Sequence, residues 1–465
     1  MSDLKDKKFH FIAIGGVGMS GLAKYLLEEG CEVSGSDIQE SKYTKGLVEL
    51  GAKIFIGHNA DNIQGSPIVI ASTAIRPDNV EIIKAKELNL PIYHRSDLLQ
   101  LIAKKYSDNE NSTFIGFSGT HGKTTTSGLC SFLMKKADQN PSYVVGGIIP
   151  ELNDNAHFGT DKLFAAELDE SDGTILKYQP DINVINNLEV DHIDFYTGGF
   201  DDLLATFSKY LSALKSDAKI IVNEDCVGTK ELVKRNNERK FITFGLEKAD
   251  YVAKSIKFHD FGSKFTVEKD GKKLADIELV IPGKHNIYNA LAVFVALYEA
   301  GIEPEKFVKY FKEFTGMGRR FQRAAEFNHI KVIDDYAHHP SEIRSTIESA
   351  KNATKSRLVV AFQPHRFSRF KGLWDEFLTC FKKADKLIVL DVYAASEDPM
   401  AEANPAKFAK EINHEDVTYI GGKMAEVAQK LLPQLEPSDI VLTLGAGDIT
   451  NLGKLLKEEY ENKRK

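Results

Sequence analysis

Short apolar runs alternate with 3.6-residue periodicities along most of this chain, the pattern of strands that feed helices in an α/β fold. Residues 9–14 read as a buried strand, and Gly15-Gly16-Val17-Gly18-Met19-Ser20-Gly21 reads as a glycine turn opening a helix. In that helix Met19, Leu22, Ala23, Leu26 and Leu27 share one face, and residues 32–36 then form a second strand ending at Asp37. This order predicts a doubly wound nucleotide-binding fold, extended by apolar runs at 54–56 and 68–71. The polar stretch 107–112 reads as a linker. A second segment carries strand patterns at 114–118, 163–166 and 183–186, with further helical and strand patterns through about residue 323. From residue 331 onward, apolar runs at 332–333, 358–362, 387–390 and 440–444 each end in a polar loop, and such loops beyond the carboxyl ends of strands mark a binding crevice. The expected fold class is therefore α/β with three domains. Residues 1–108 form a Rossmann-like domain, 109–323 a central P-loop ATP-binding α/β domain, and 324–465 a C-terminal Rossmann-like α/β domain.

Composition narrows the function classes. A formal charge of -7 provides no basic field for nucleic acid, and 42% hydrophobic residues is ordinary for a globular protein. Cys31, Cys130, Cys226 and Cys380 lie far apart without a C-x-x-C spacing, so neither a disulfide framework nor a structural zinc site is expected, and a reducing cytoplasm fits. The longest apolar stretch, 290–298, is too short to span a bilayer.

Residues 114–126 run from an apolar strand through Gly119-Thr120-His121-Gly122-Lys123-Thr124-Thr125 into a helical pattern. Glycines at 119 and 122 allow backbone N–H groups to turn toward phosphate oxygens, Lys123 supplies a point charge, and the Thr124 hydroxyl can ligate Mg2+. The spacing is a variant of the usual loop, with Phe117 where a glycine is common. A second glycine motif, Gly16-x-Gly18-x-x-Gly21 with Asp37 further on, matches the fingerprint that holds NAD. Its backbone donors will hold any pyrophosphate, and a separate ATP loop argues for a diphosphate-bearing substrate there instead.

Other residues admit two readings. The acidic runs Glu167-Leu168-Asp169-Glu170-Ser171-Asp172 and Glu189-Val190-Asp191-His192-Ile193-Asp194 follow strand patterns and suit Mg2+, with Glu167 as a partner for Thr124 and His192 for a second ion; they also suit solvated loops. Asn286 and Asn289 can read an adenine edge or cap the helix that follows. Arg366 and Arg369 suit a carboxylate or phosphate, or a surface ion pair. His338 and His339 are adjacent, which disfavours a shared metal and favours polar contact to a small substrate.

These pieces together resemble the Mur ligases, and within that family the branch that adds L-alanine. The resemblance covers nearly the whole chain and rests on residues 15–23, 119–125 and Asp169-Glu170-Ser171-Asp172. It extends through Asp191-His192, His285-Asn286-x-x-Asn289, Arg319-Arg320-Phe321, Asp335-Tyr336-x-His338-His339-Pro340 and Phe362-Gln363-Pro364-His365-Arg366. It implies ATP-dependent amide formation between L-alanine and the carboxylate of UDP-N-acetylmuramate, through an acyl phosphate, in cytoplasmic peptidoglycan precursor synthesis. ATP would be bound by Gly119, Thr120, His121, Gly122, Lys123, Thr124, Thr125, Asn286, Asn289 and Arg320, and Mg2+ by Thr124, Glu167 and His192. The UDP-sugar would lie on Gly16, Val17, Gly18, Met19, Ser20, Asp37, Ser72, Thr73 and Arg95, and alanine among Tyr336, His338, Arg366 and Arg369. Lys123, Glu167, His192, His338 and Arg366 are the implied catalytic set. Some relatives carry a carbamylated lysine; Lys209 and Lys215 lie in the corresponding region without aligning to it, and no carbamylation is expected. Ser396 stands where the family commonly has glycine, so the loop after Asp391 receives no role. No nucleic acid or membrane partner is expected, and the chain should act as a monomer or weak homodimer, with hinge closure that keeps water from the acyl phosphate. The alternatives are a murein-peptide recycling ligase, an NAD-dependent oxidoreductase with an accessory ATPase, and a binding module without catalysis.

Overall fold

The computed structural model describes residues 4–72, 75–170, 173–189, 195–259, 262–395 and 397–464. Its strands fall into three sheets. β1 (Lys8–Ile12), β2 (Glu32–Asp37), β3 (Lys53–Ile56), β4 (Ile68–Ala71) and β5 (Ile92–His94) form the first, in the order β3-β2-β1-β4-β5, with every pairing parallel. The second contains β6 (Thr113–Ser118), β7 (Ser142–Ile149), β8 (Asp154–His157), β9 (Leu163–Glu167), β10 (Ile182–Ile185), β11 (Lys219–Asn223), β12 (Phe241–Gly245), β13 (Tyr251–His259), β14 (Gly262–Lys269) and β15 (Lys272–Leu279). Their order is β15-β14-β13-β12-β11-β10-β6-β9-β7-β8. The third contains β16 (Gln322–Phe327), β17 (Ile330–Asp335), β18 (Leu358–Phe362), β19 (Lys386–Leu390), β20 (Val417–Ile420) and β21 (Ile440–Leu444), ordered β16-β17-β21-β18-β19-β20. Only its edge pair β16/β17 is antiparallel.

The continuous apolar runs have a direct cause. Side chains alternate across a strand, so a sheet covered on both faces needs an apolar residue at every position. Leu358, Val360 and Phe362 enter one core with Phe370, Phe377 and Phe381, while Val359 and Ala361 enter the opposite core with Ile388, Leu390 and Val441.

The chain packs as two compact units. The first comprises Met1–Lys257, Lys264–Leu279 and Lys284–Phe314; the second comprises Phe258–Ser263, Val280–Gly283 and Thr315–Lys465. Within the first unit, the first two sheets share one apolar core that runs from Phe9 and Leu22 to Phe114, Phe164 and Phe207. Tyr106, at the end of the helix Arg95–Ser107, stacks on Phe164 with ring centroids 4.7 Å apart, and residues 108–111 then cross the surface to reach β6. Among the described residues, no helix is long and apolar enough to cross a membrane.

Candidate functional site

The phosphate loop lies where strand order changes direction. β6 is flanked by β10 and β9, both parallel to it, and residues 119–122 leave its carboxyl end to start the helix Lys123–Lys136. Such a switch point opens a crevice, and the helix N-terminus directs unpaired N–H groups into it. Gly119 has φ 114°, and a Cβ there would come within 2.6 Å of the Asn187 carbonyl oxygen, so no other residue fits. Asn187 clamps the loop. Its carbonyl accepts from the Thr120 N–H (3.0 Å), its Oδ1 accepts from the His121 N–H (2.8 Å), and its Nδ2 donates to the His121 carbonyl (3.1 Å).

The Lys123 Nζ donates to the carbonyls of Gly119 (2.8 Å) and Thr120 (3.2 Å) and to Glu170 Oε1 (2.8 Å). Burial alone would lower the Lys123 pKa, but the Glu170, Glu167 and Asp169 carboxylates outweigh it and hold the ammonium charged. Burial pushes the Glu170 carboxyl up, against the attraction of Lys123. Thr124 Oγ1 donates to Glu167 Oε1 (3.1 Å), whose other oxygen accepts from the Gly146 N–H (3.0 Å). A hydroxyl and a carboxylate beside a phosphate loop are hard oxygen donors, so this pair fits Mg2+. Thr125 is half-buried in the first helical turn. His192 and Thr73 lie outside the described residues, as does Ser396.

Asn286 and Asn289 lie inside the helix Lys284–Glu299, not at its cap. Asn289 Nδ2 donates to Asn286 Oδ1 (3.1 Å), and a Cβ at Gly122 would meet Asn289 Oδ1 at 2.6 Å. The pair therefore lies beside the phosphate loop, although far from it in sequence.

The amino-terminal turn follows β1, the strand at which the first sheet changes direction. Gly16 caps the helix Val17–Glu29, and Asp37, at the end of β2, accepts from the Gly15 N–H at 2.8 Å. Arg95 lies over this turn: a Cβ at Gly18 would meet its Nη1 at 3.0 Å, and its Nη2 is 3.8 Å from Asp169 Oδ2. One guanidinium thus reaches from the turn toward the acidic run that holds Lys123. Ser72 directly follows β4 and is partly buried. The Met19 side chain is in the core, and the buried Ser20 hydroxyl donates to the Val17 carbonyl at 3.1 Å, within the turn itself.

In the second unit, loops after β17, β18 and β19 bring another cluster together. The His338 Nδ1–H donates to the Tyr336 carbonyl (2.9 Å), and its ring meets His365 edge-on with centroids 5.8 Å apart. His365 Nδ1 accepts from Arg369 Nη1 (3.1 Å), and its ring stacks on Tyr393 at 5.7 Å. Burial lowers the His338 pKa, and burial with His338 and Arg369 lowers that of His365 to about 4, so both rings are neutral near pH 7. Arg319 and Arg320 place guanidinium carbons 4.9 and 5.4 Å from the Tyr336 ring centre, and Arg320 Nη1 is 3.6 Å from Glu342 Oε1. Burial opposes the charge of Glu342, but Arg320, His338 and the N–H groups of His338 and His339 hold its pKa at about 2. His339 itself caps the helix Pro340–Ala353, accepting from the Ser341 N–H.

Asp335 accepts from the N–H groups of Phe321 (2.7 Å) and Ala337 (2.8 Å), yet burial pushes its pKa up to about 6 despite those bonds and Arg320. Between about pH 4 and 6 the folded protein therefore binds a proton that the unfolded chain has released, so this group's contribution to stability falls as pH rises through that window. The stability of the parent minus that of Asp335→Asn, from urea unfolding, should drop by about 2–3 kcal/mol between pH 4 and 7. Parallel curves would contradict this assignment.

Several residues in these clusters escaped the sequence reading as site members, among them Glu170, Asn187, Glu342, His365 and Tyr393. Asn187 had a signal. The register Ile185↔Ser118 places the residues after β10 beside the phosphate loop, and strand adjacency would have exposed it. Lys215, which the sequence reading weighed for carbamylation, donates to the Ser107 carbonyl (2.5 Å) and to Asp181 (2.8 Å).

Three family models match in order: "Mur ligase family, catalytic domain" over residues 8–107, "Mur ligase middle domain" over 117–297, and "Mur ligase, glutamate ligase domain" over 319–447. The chain is 41% identical over 456 residues to a UDP-N-acetylmuramate–L-alanine ligase of Trichlorobacter lovleyi, covering 97% of this chain and 98% of that one. It is 40% identical to a protein of the same name from Caldanaerobacter subterraneus, covering 98% of each chain. Among solved structures, the UDP-N-acetylmuramate-alanine ligase of Thermotoga maritima superposes with a TM-score of 0.83 at 30% identity, covering 98% of this chain and 99% of that chain. A murein peptide ligase of Psychrobacter arcticus shares the fold, with a TM-score of 0.74 at 20% identity over 98% of this chain and 99% of the other.

Proposed function

This chain belongs to the Mur ligase family, and from that premise we propose that it joins L-alanine to the carboxylate of UDP-N-acetylmuramate in an ATP-driven ligation. The observation that carries the activation chemistry is the buried Lys123 ammonium, held charged at the mouth of a glycine loop beside the Thr124–Glu167 pair. The choice of alanine is supported by the full-length relatives at about two-fifths identity.

A carboxylate is a poor electrophile until one of its oxygens is phosphorylated. In the proposed reaction that oxygen attacks the γ-phosphorus, ADP leaves, and an acyl phosphate remains. The alanine amine, having lost a proton, attacks the acyl carbon, and the tetrahedral intermediate expels orthophosphate. Two anions must meet in the first step, and Lys123 with the N-terminus of its helix offsets their repulsion. Magnesium, held by Thr124 and Glu167, would neutralise further phosphate charge. The turn at Gly16–Ser20, with Asp37, Ser72 and Arg95, takes the UDP-sugar, and Asn286 and Asn289 take the adenine. Tyr336, His338, Arg366 and Arg369 surround alanine, with the arginines on its carboxylate. The requirement for ATP and a nucleotide-activated sugar suits the cytoplasm.

Phosphate release measured with UDP-N-acetylmuramate, Mg-ATP and L-alanine tests the reading. Turnover should need all three reactants and should yield a new amide product by mass spectrometry. Turnover with a preformed free tripeptide in place of alanine, but not with alanine, would instead assign a peptide-recycling ligase.

A further inference from the structure

Arg366 opens the short helix Phe367–Gly372 with φ 68° and ψ 129°. That region of backbone space is unfavourable for a residue bearing a Cβ and persists only where neighbours impose it. Here the Arg366 N–H donates to the Tyr393 carbonyl (2.9 Å) and the Tyr393 N–H to the Pro364 carbonyl (2.8 Å), a strand-like rung that pins the turn. The side chain so placed meets Glu397. Arg366 Nε donates to Glu397 Oε1 at 2.6 Å, the Ser368 hydroxyl donates to the same oxygen at 2.6 Å, and the Ser368 N–H donates to Oε2 at 3.0 Å. Burial works against the Glu397 charge, but Ser368 and Arg366 prevail and hold its pKa at about 2. It is therefore an anion at any working pH.

The contact takes Nε and leaves Nη1 and Nη2 of Arg366 without a hydrogen-bond partner among the described residues. A guanidinium recognises a carboxylate best through two parallel N–H bonds, which requires such a free edge held in one direction. Arg369 lies close enough for the two positive charges to repel, since Arg366 helps to lower the Arg369 pKa after burial, and an anion against Arg366 relieves that repulsion.

We propose that Glu397 is a positioning residue for amino-acid capture: by gripping Nε of Arg366 and the first turn of its helix, it presents the Nη1–Nη2 edge to the carboxylate of the incoming amino acid. The inference rests on the reading of this cluster as the alanine site. Glu397 touches no reacting atom and acts through Arg366 alone.

The test is steady-state phosphate release by the full chain, varying L-alanine, UDP-N-acetylmuramate and ATP in turn. Glu397→Ala should raise KM for alanine about tenfold, with kcat within about threefold and the other two KM values within about twofold. Glu397→Asp should recover part of the loss. If Glu397→Ala loses its fold, Glu397→Gln, which keeps the shape but not the charge, replaces it with the same expectation in sign. In an Arg366→Ala background, removal of Glu397 should have no further effect on alanine KM. An unchanged or lowered alanine KM overturns the proposal, as does a parallel rise in all three KM values or an effect that persists without Arg366. A parent enzyme that releases no phosphate with the three reactants overturns the functional reading and this inference together, whereas an active parent with indifferent Glu397 variants overturns the inference alone.

Discussion

Lys123→Ala is expected to lower kcat for phosphate release by about 10³-fold or more while UDP-sugar affinity stays within about threefold. The ammonium is the one fixed positive charge shown on the phosphate loop, and its neighbours Glu167, Asp169 and Glu170 are all acidic. Without it, the loop offers no side-chain cation to offset the repulsion between a triphosphate and a sugar carboxylate. The substitution also removes one partner of Glu170, which is 1% exposed, and taking one member from a buried ion pair costs about 3–5 kcal/mol. Loss of activity through unfolding must therefore be separated from loss of catalysis. The double variant Lys123→Ala/Glu170→Gln does so, because it removes both charges of the pair: thermal stability should recover toward that of the parent while the rate stays at its floor. Binding of UDP-N-acetylmuramate, followed calorimetrically, should survive, since the Gly16–Ser20 turn and Asp37 belong to a different sheet. Equal loss of rate and UDP-sugar affinity would contradict the separation of roles, and recovery of rate in the double variant would remove Lys123 from the chemistry.

Glu167→Gln should lower kcat by about 10²-fold and raise the magnesium concentration needed for half-maximal rate. One oxygen of Glu167 accepts from the Thr124 hydroxyl and the other from the Gly146 N–H. An amide in its place keeps the volume but sets an NH2 against one of those donors and removes the anionic charge that a divalent cation requires. Gly146 cannot adapt by gaining bulk, because a Cβ there would come within 2.4 Å of Glu167 Oε2. The informative measurement is a magnesium titration at saturating ATP. An unchanged half-saturation point with a lowered rate would leave Glu167 as a structural acceptor and put the metal elsewhere.

Much of the fold was legible from the pattern of side chains. The runs at 358–362 and 440–444 coincide with β18 and β21, and all five positions of each are buried, because a sheet covered on both faces leaves no position in water; Thr443, the polar member, donates its hydroxyl to Asp334. The phosphate loop was legible for a related reason: strand, glycine turn, lysine and helix N-terminus are consecutive, so every requirement for holding phosphate is met within residues 114–126. At Asn286 and Asn289 the residues alone left capping and adenine contact open, since an asparagine near a helix start satisfies either. The helix boundary at Lys284 places both inside the helix, and the approach of Asn289 to Gly122 brings the pair beside the phosphate loop.

The chain order thus determined where strands, glycine turns and the phosphate loop lie, since hydrophobic alternation and backbone phosphate binding are properties of consecutive residues. Tertiary structure alone decided which charges meet. Lys123 found Glu170, His338 found His365, and Arg366 found Glu397 through the pairing of parallel strands, whose carboxyl ends gather loops remote in sequence. The same packing set the protonation states of Asp335, His365 and Glu342, because burial and neighbouring charge act through space and leave no mark on the local sequence.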